Sequence, residues 1–570
     1  MEEEENNTRT CSSTTIMDPK TGFNSISRTF QTLRPPLNLP PPHATISAAT
    51  YTLSLHHKSP FSSSSIFLID STTSHQLSYS IFIQRSKTLA KNLTLRGLTK
   101  HHTALILSPN IFQVPILYFA LLSIGVVVSP ANPISSPSDI SHFINLSKPV
   151  IAFTTSFYGK LPKLPLGTIL IDSPEFDSLT TEETKDNSPT AALPEVSQSD
   201  VAVILYSSGT TGKSKGVMLT HRNLTAAVAA HDAVRITKES PAVCLLTVPL
   251  FHVYGFTFLL KCVAMMETVV VMERFGLGKM LSVLERFRVS NLVVAPPVVV
   301  AMSKEGATER YDLSSLKNVT CGGAPLGKDN FDAFKAKFSQ VSIIQGYGLT
   351  ESSAGVIRVV GPEEASRAGT TGRLASGVVA KIVNPNTGEA MSPGEEGELW
   401  VRGPPIMKGY VGDPVATSDT IVDGWLRTGD ICYFDNEGFV YVVDRMKELI
   451  KYKGYQVPPA ELEQLLQSHP EIKDAAVIPY PDEDAGQVPL AFVIRQPQSS
   501  MGEAEIIDFV AKRVAPYKKI RHVVFANSIP KNAAGKVLRK DLLNKILHQR
   551  TFASISLFVI AHCGPIRLED

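Results

Sequence analysis

The chain is poor in several things that would commit it to a class. Only six of its 570 residues are cysteine (Cys11, Cys244, Cys262, Cys321, Cys432, Cys563). They are scattered, with no CxxC pair and no zinc-type spacing, which argues against a disulfide scaffold or a metal finger and for a reducing compartment. It also lacks an excess of one charge: 55 Lys and Arg face 53 Asp and Glu, a net +2. No electrostatic footprint for nucleic acid or an anionic membrane exists, so an anionic ligand has to be held by local groups. Long clean apolar runs are missing too. The most apolar stretch, 112–129, is interrupted by Pro115 and runs into Pro130-Ala-Asn-Pro133. A spanning helix needs about 20 apolar residues, so this stretch reads as a buried helix followed by a strand. Four glutamates after Met1 are the opposite of a signal peptide's basic start. No internal repeat is present.

What remains is ample material for large cores: 43% of residues are apolar, in a chain too long for one compact domain. Residues 1–45, rich in Ser, Thr, Asn and Pro and ending in Pro40-Pro-Pro42, read as a flexible extension with no core of its own. Beyond it, short apolar runs at 201–205, 269–272, 293–295 and 341–344 alternate with helical patterns, which implies α/β layers with covered sheets. Between about 370 and 445 glycine turns separate strand-like runs, the texture of a small antiparallel or barrel-like subdomain. After Asp444-Arg445 the pattern resets to a smaller α+β unit. In it Leu462, Leu465 and Leu466 mark one face of a helix opened by Pro458-Pro-Ala-Glu461.

The strongest chemical signal is Ser207-Ser-Gly-Thr-Thr-Gly-Lys-Ser-Lys-Gly216, directly after an apolar strand. Hydroxyls and unhindered backbone N–H groups at this density suit a loop that wraps phosphate oxygens. A Walker A loop needs glycine where Ser207 stands, which disfavours a P-loop NTPase. This loop resembles the phosphate-binding signature of the acyl-adenylate-forming superfamily, which includes acyl-CoA synthetases, 4-coumarate:CoA ligases, luciferases and peptide-synthetase adenylation domains. Further motifs of that superfamily follow in order: Pro249-Leu-Phe-His-Val-Tyr-Gly255, Gln345-Gly-Tyr-Gly-Leu-Thr-Glu351, Thr428-Gly-Asp430, Asp444-Arg445, Lys451-Tyr-Lys-Gly454 and Pro530-Lys-Asn-Ala-Ala-Gly-Lys536. The similarity spans about residues 45–545 and is nearest to the plant 4-coumarate:CoA ligase-like branch.

The resemblance implies a large N-terminal domain over 46–443, made of two α/β layers and the barrel-like subdomain. A hinge at 444–447, a mobile C-terminal domain over 448–545 and an atypical tail over 546–570 complete the chain. It also implies ATP, Mg²⁺ and coenzyme A as cofactor and co-substrates, a small carboxylic acid as partner, and a monomer. Ser207, Ser208, Gly209, Thr210, Thr211, Gly212 and Lys215 would hold phosphates. Glu351, a hard oxygen ligand, would hold Mg²⁺, with Thr350 beside it; Gln345 and Gly346 would wall adenine and acyl group. Asp430 would accept the ribose hydroxyls from a Gly-rich turn, and Arg445 would be a second nucleotide contact. Lys536 would stabilise charge as a carboxylate attacks the α-phosphate. Lys447 matches the hinge, Lys453 and Gly454 the CoA-facing loop, and Arg274 the place of a CoA-phosphate lysine. Lys451 and Gln456 would face the nucleotide in the adenylating pose. His252, Tyr254, Phe258 and Gly323 would border the acyl pocket. Lys531, Arg539 and Lys540 read as solvent-facing or phosphate-steering.

Two departures stand out. The box Gly397-Glu-Leu-Trp-Val-Arg-Gly403 differs from that of strict 4-coumarate:CoA ligases, and Phe258 and Gly323 stand where those enzymes tend to have Ser and Ala. 4-Coumarate is therefore the first acid to expect, with jasmonate precursors and fatty acids as alternatives, and luciferase-like or carrier-loading chemistry behind them. The end Ile566-Arg-Leu-Glu-Asp570 is not the peroxisomal Ser-Lys-Leu, which favours the cytosol over the peroxisome.

Overall fold

The computed structural model describes residues 17–158, 161–182, 194–207, 214–236, 239–304, 306–453, 455–482, 484–532 and 535–546. Two largely parallel sheets carry the first part of the chain. One, of seven strands, is built around Thr103–Leu107, Val127–Ala131 and Ile151–Thr154, all fully buried as their unbroken apolar character requires. The other, of nine strands, is centred on Val243–Leu246, Asn291–Val294 and Asn318–Cys321. The apolar runs read from the sequence all lie on strands of these sheets. The stretch at 112–129 is the helix Gln113–Ser123 leading into the strand Val127–Ala131, as its pattern predicts.

A seven-stranded antiparallel sheet follows, containing Val379–Val383, Gly397–Arg402, Trp425–Phe434 and Val440–Arg445. The expectation of a flexible extension over 1–45 is corrected here from residue 17 onward. The strands Phe23–Asn24 and Thr29–Gln31 complete this sheet, with Phe30 opposite Ala380. Phe30 is fully buried and stacks on Phe434 at 3.8 Å between ring centroids. A few aromatic anchors let a polar, proline-rich segment dock on a core that it does not itself supply. Residues 1–16 lie outside the described residues, as does 547–570 of the expected tail.

The small C-terminal unit is a five-stranded sheet, led by Ile472–Asp482 against Gly486–Arg495, with the helices Pro459–Ser468 and Glu503–Ala511. Proline stands in the first turn of the helix Pro459–Ser468. Its Leu462 and Leu466, one turn apart, are fully buried in the sheet's core, while Leu465 packs at the edge. Asp444, in the segment expected to be the hinge, caps it: its carboxylate accepts the Ala460 N–H at 2.9 Å. The end of the large unit is thereby tied to the first helix of the small one.

Candidate active site

Two cavities of about 740 and 480 Å³ share Gly323, Gly348, Leu349, Arg445 and Lys536, so they form one cleft between the large and small units. Its floor comes from the ends of strands in three sheets, and its roof from the small unit.

The segment 345–351 is a strand that turns into a short 3₁₀ helix, Thr350–Ser352, placing Thr350 and Glu351 in the cleft. Gly348 is obligatory there, since a Cβ would lie 1.5 Å from the Ala354 carbonyl oxygen on the returning strand. Tyr410 donates its hydroxyl to Glu351 Oε1 at 2.9 Å, and the Lys215 ammonium stands 4.7 Å over the Tyr410 ring. One glutamate oxygen is thus oriented while the other is left for a ligand. A carboxylate and a threonine hydroxyl beside phosphate-binding space form the partial oxygen set that suits Mg²⁺, whose remaining ligands are waters and phosphate oxygens. Ser207 and Lys215 line the same cavity. Ser208, Gly209, Thr210, Thr211 and Gly212 lie outside the described residues.

Asp430, read from the sequence as a turn residue, is on the strand Trp425–Phe434, directly opposite Arg445 in the antiparallel register. It is 3% exposed. Arg445 Nε reaches one carboxylate oxygen at 3.2 Å, and the Tyr347 hydroxyl donates to the other at 2.6 Å. Tyr347 therefore orients Asp430. Burial pushes the Asp430 carboxyl above the ordinary range, while Arg445 and Tyr347 pull against that. The adjoining strand backbone is fixed by Glu398, whose oxygens accept the Gly429 N–H at 3.0 Å and the Trp400 indole N–H at 2.7 Å.

Lys536 enters the cleft from the small unit, and its Nζ lies 3.0 Å from Glu448. Burial and the neighbouring Arg445 lower the ammonium's pKa, and Glu448 opposes them. Glu448 also pairs with Arg539, which reaches Glu463 at 2.7 Å. Arg539 is thus a buried strut that orients the lysine's partner. The expectation of a solvent-facing or steering group is corrected: two carboxylates close enough to bind one guanidinium draw it inward. Lys531 pairs with Asp474 at 2.6 Å. Neither Glu448 nor Glu463 stands out in the sequence, because a lone glutamate in a loop or on a helix carries no pattern.

On the far side of the cleft His252 caps the helix Val253–Ala264, its Nδ1 accepting the Tyr254 N–H at 3.3 Å. The ring then carries its proton on Nε2. Burial pushes its pKa down to about 4, so it is neutral at physiological pH. The motif's last glycine has a packing reason: a Cβ on Gly255 would meet the Pro249 carbonyl oxygen at 2.2 Å.

Not all expected residues meet here. Gly323 and Gly346 line the cleft, but Gln345 is buried and Tyr254 and Phe258 lie behind the cleft wall, with Phe258 facing a separate rear cavity. Lys447 lines the cleft. Lys451, Lys453 and Gln456 are exposed on the hairpin Ile450–Tyr452 and Tyr455–Val457 and line neither cleft cavity. The expectation that Lys451 and Gln456 accompany Lys536 at the nucleotide is corrected: the small unit presents one face to the cleft, and here that face carries Lys536. Gly454 is outside the described residues, and Arg274 is exposed.

Comparison with known proteins gives the family. A family model described as AMP-binding enzyme matches residues 61–411, and one described as AMP-binding enzyme C-terminal domain matches 461–536. The 4-coumarate–CoA ligase-like 9 of Arabidopsis thaliana is 49% identical over 545 residues, covering 92% of this chain and 96% of its own. The Peroxisomal OPC-8:0-CoA ligase 1 of the same plant is 42% identical over 543 residues, covering 92% and 98%. Among solved structures, the o-succinylbenzoate CoA synthetase of Bacillus subtilis in complex with ATP and magnesium ion superimposes with a TM-score of 0.73 at 27% identity. That match covers 86% of this chain and 98% of the other. No helix among the described residues is long and apolar enough to cross a membrane. The chain belongs to the AMP-binding enzyme family, within its 4-coumarate–CoA ligase-like group of acid–thiol ligases.

Proposed function

We propose that this chain adenylates a hydroxycinnamate-type acid with ATP and then transfers the acyl group to coenzyme A, 4-coumarate being the first candidate. The observation that carries this reading is the meeting of Lys536 with Asp430, Arg445, Glu351 and His252 around one cleft. In the first step a carboxylate oxygen of the acid attacks the α-phosphorus and the bond to pyrophosphate breaks. Lys536 lies between the two anions and stabilises the charge that gathers there. Asp430 takes the ribose hydroxyls, and the His252 Nε2–H orients the attacking carboxylate. Mg²⁺ held at Glu351 and Thr350 supplies charge neutralisation at the phosphates.

In the second step the CoA sulfur attacks the acyl carbon, the bond to AMP breaks, and the thiol proton leaves to solvent. Lys453, turned away from the cleft here, and Gly454 serve this step after a rotation of the small unit about 444–447. Four buried free thiols, Cys244, Cys262, Cys321 and Cys432, fit a reducing compartment, and we place the protein in the cytosol.

A second reading, a longer aliphatic or jasmonate-type acid, is favoured by Phe258, which faces the rear cavity instead of filling the cleft. Incubating the protein with ATP, Mg²⁺, CoA and a panel of cinnamates, jasmonate precursors and fatty acids decides between them. Equimolar AMP and acyl-CoA from 4-coumarate supports the first reading, and turnover confined to the longer acids supports the second. No AMP from any acid sinks both.

A further inference from the structure

Behind the cleft wall lies the rear cavity, of about 340 Å³. The wall is thin. Tyr254 donates its hydroxyl to the Thr320 carbonyl at 3.1 Å and meets Phe258 edge-on, ring centroids 6.2 Å apart. The Gly322 Cα faces the Tyr254 ring, which a Cβ there would meet at 3.4 Å. Gly346, on the cleft side, is paired in register with Arg358, whose side chain lines the rear cavity. The two spaces are therefore separated by a single layer of residues, and next to the cleft that layer is mostly glycine.

The rear cavity is not an apolar slot. Lys261 and Glu267 face it as a closed ion pair at 2.5 Å. Arg358 is different. It is 8% exposed, donates one N–H to the Ala230 carbonyl, and makes no ion pair among the described residues. Its Nε is buried without a hydrogen-bond partner. The neighbouring acid, Glu364, is already engaged by Arg34 at 2.5 Å and by the Val360 N–H at 2.7 Å. His231, between Arg358 and Lys261, is held neutral by burial and by those two cations. Glu364 supports the guanidinium only from a distance, and a buried Nε–H left without an acceptor is costly; the group faces the cavity directly behind the Tyr254–Phe258 layer.

We propose that the rear cavity is the distal end of the acyl site, and that Arg358 receives an oxygen acceptor at the end of the acid remote from the reacting carboxyl. This inference rests on the ligase reading and deepens its second, longer-acid form. The preferred acids are those long enough to pass the Tyr254–Phe258 layer and tipped with a carbonyl or carboxylate oxygen. An acid ending in a methyl group leaves the guanidinium unsatisfied and is disfavoured, because a site built to donate hydrogen bonds rejects the analogue that cannot accept them.

The test uses the full chain and sets of acids matched in length and shape that end in a methyl, a ketone or a carboxylate. For the wild type, kcat/KM is expected to be about ten- to a hundredfold higher for the oxygen-tipped acids, and the ketone and carboxylate arms tell whether a dipole or a charge is recognised. Arg358→Met should abolish that preference through KM of the acid, with the methyl-ended acid changed by no more than about threefold. Stabilisation of the variant by ATP in a thermal melt shows that it is folded. Should it not fold, the wild-type ratio alone decides. A wild-type ratio near one, or a folded variant that loses all acids equally, would overturn the proposal. Absence of AMP release with every acid is the distinct result that removes the ligase reading beneath it.

Discussion

At the scale of single residues, the site works by pairing each charged group with a second one that aims it. Tyr347 and Arg445 hold Asp430, Tyr410 holds Glu351, and Glu448 holds Lys536. Such orientation matters because adenylation joins two anions and depends on charges already in place. Histidines held neutral give a pH signature, His231 furthest below its ordinary value and two others less so. Burial pushes His221 and His252 each down to about 4 from an ordinary 6.5. Between those values the unfolded chain binds more protons than the folded one, so stability rises with pH across that window and is lost as pH falls through it. Thermal melts should show a steady fall in Tm from pH 6.5 towards pH 4, and His221→Asn should flatten part of it. A Tm that is constant over that range would show that none of these rings is protonated on unfolding.

At the scale of elements, the antiparallel sheet delivers the nucleotide groups. The strand Trp425–Phe434 carries Asp430, its neighbour Val440–Arg445 carries Arg445, and Gly397–Arg402 supplies Glu398, which ties down the backbone at Gly429 beside Asp430. Glu398→Gln keeps the size but replaces one acceptor oxygen with a donor facing other donors. The cost expected is about 1–3 kcal/mol in stability, with KM for ATP raised severalfold and KM for the acid nearly unchanged. Equal increases in both constants would mean that Glu398 supports the fold in general and not the backbone beside Asp430.

At the scale of the whole molecule, one small unit has two faces and one cleft to serve. With Lys536 seated against Glu448, the hairpin bearing Lys451, Lys453 and Gln456 is turned to solvent. The two half-reactions should therefore separate by mutation. Lys536→Ala is expected to lose pyrophosphate release by at least about a hundredfold and still convert a supplied acyl adenylate to thioester. Lys453→Ala is expected to form adenylate normally and transfer it poorly. Rapid-quench measurement of pyrophosphate, adenylate and thioester distinguishes them, and loss of the same half-reaction in both variants would refute the two-pose mechanism.

Much of this was legible in the chain itself. The alternation of apolar runs with helical patterns determined the α/β layers, because a buried strand must be apolar throughout. The glycine-, hydroxyl- and carboxylate-bearing motifs determined the chemistry, because loops around phosphate, Mg²⁺ and ribose admit few residue types at their spacing. What only the tertiary structure decided concerns partners far apart in sequence. Phe30 reaches Phe434 and makes part of a polar N-terminal segment into sheet; Arg539 reaches Glu448 and Glu463 and becomes a strut. Phe258 and Arg358, a hundred positions apart, line one cavity behind the cleft. Local pattern records what a segment must be. Which buried polar group is left unpaired depends on every element packed around it, and that is settled only when the chain has closed.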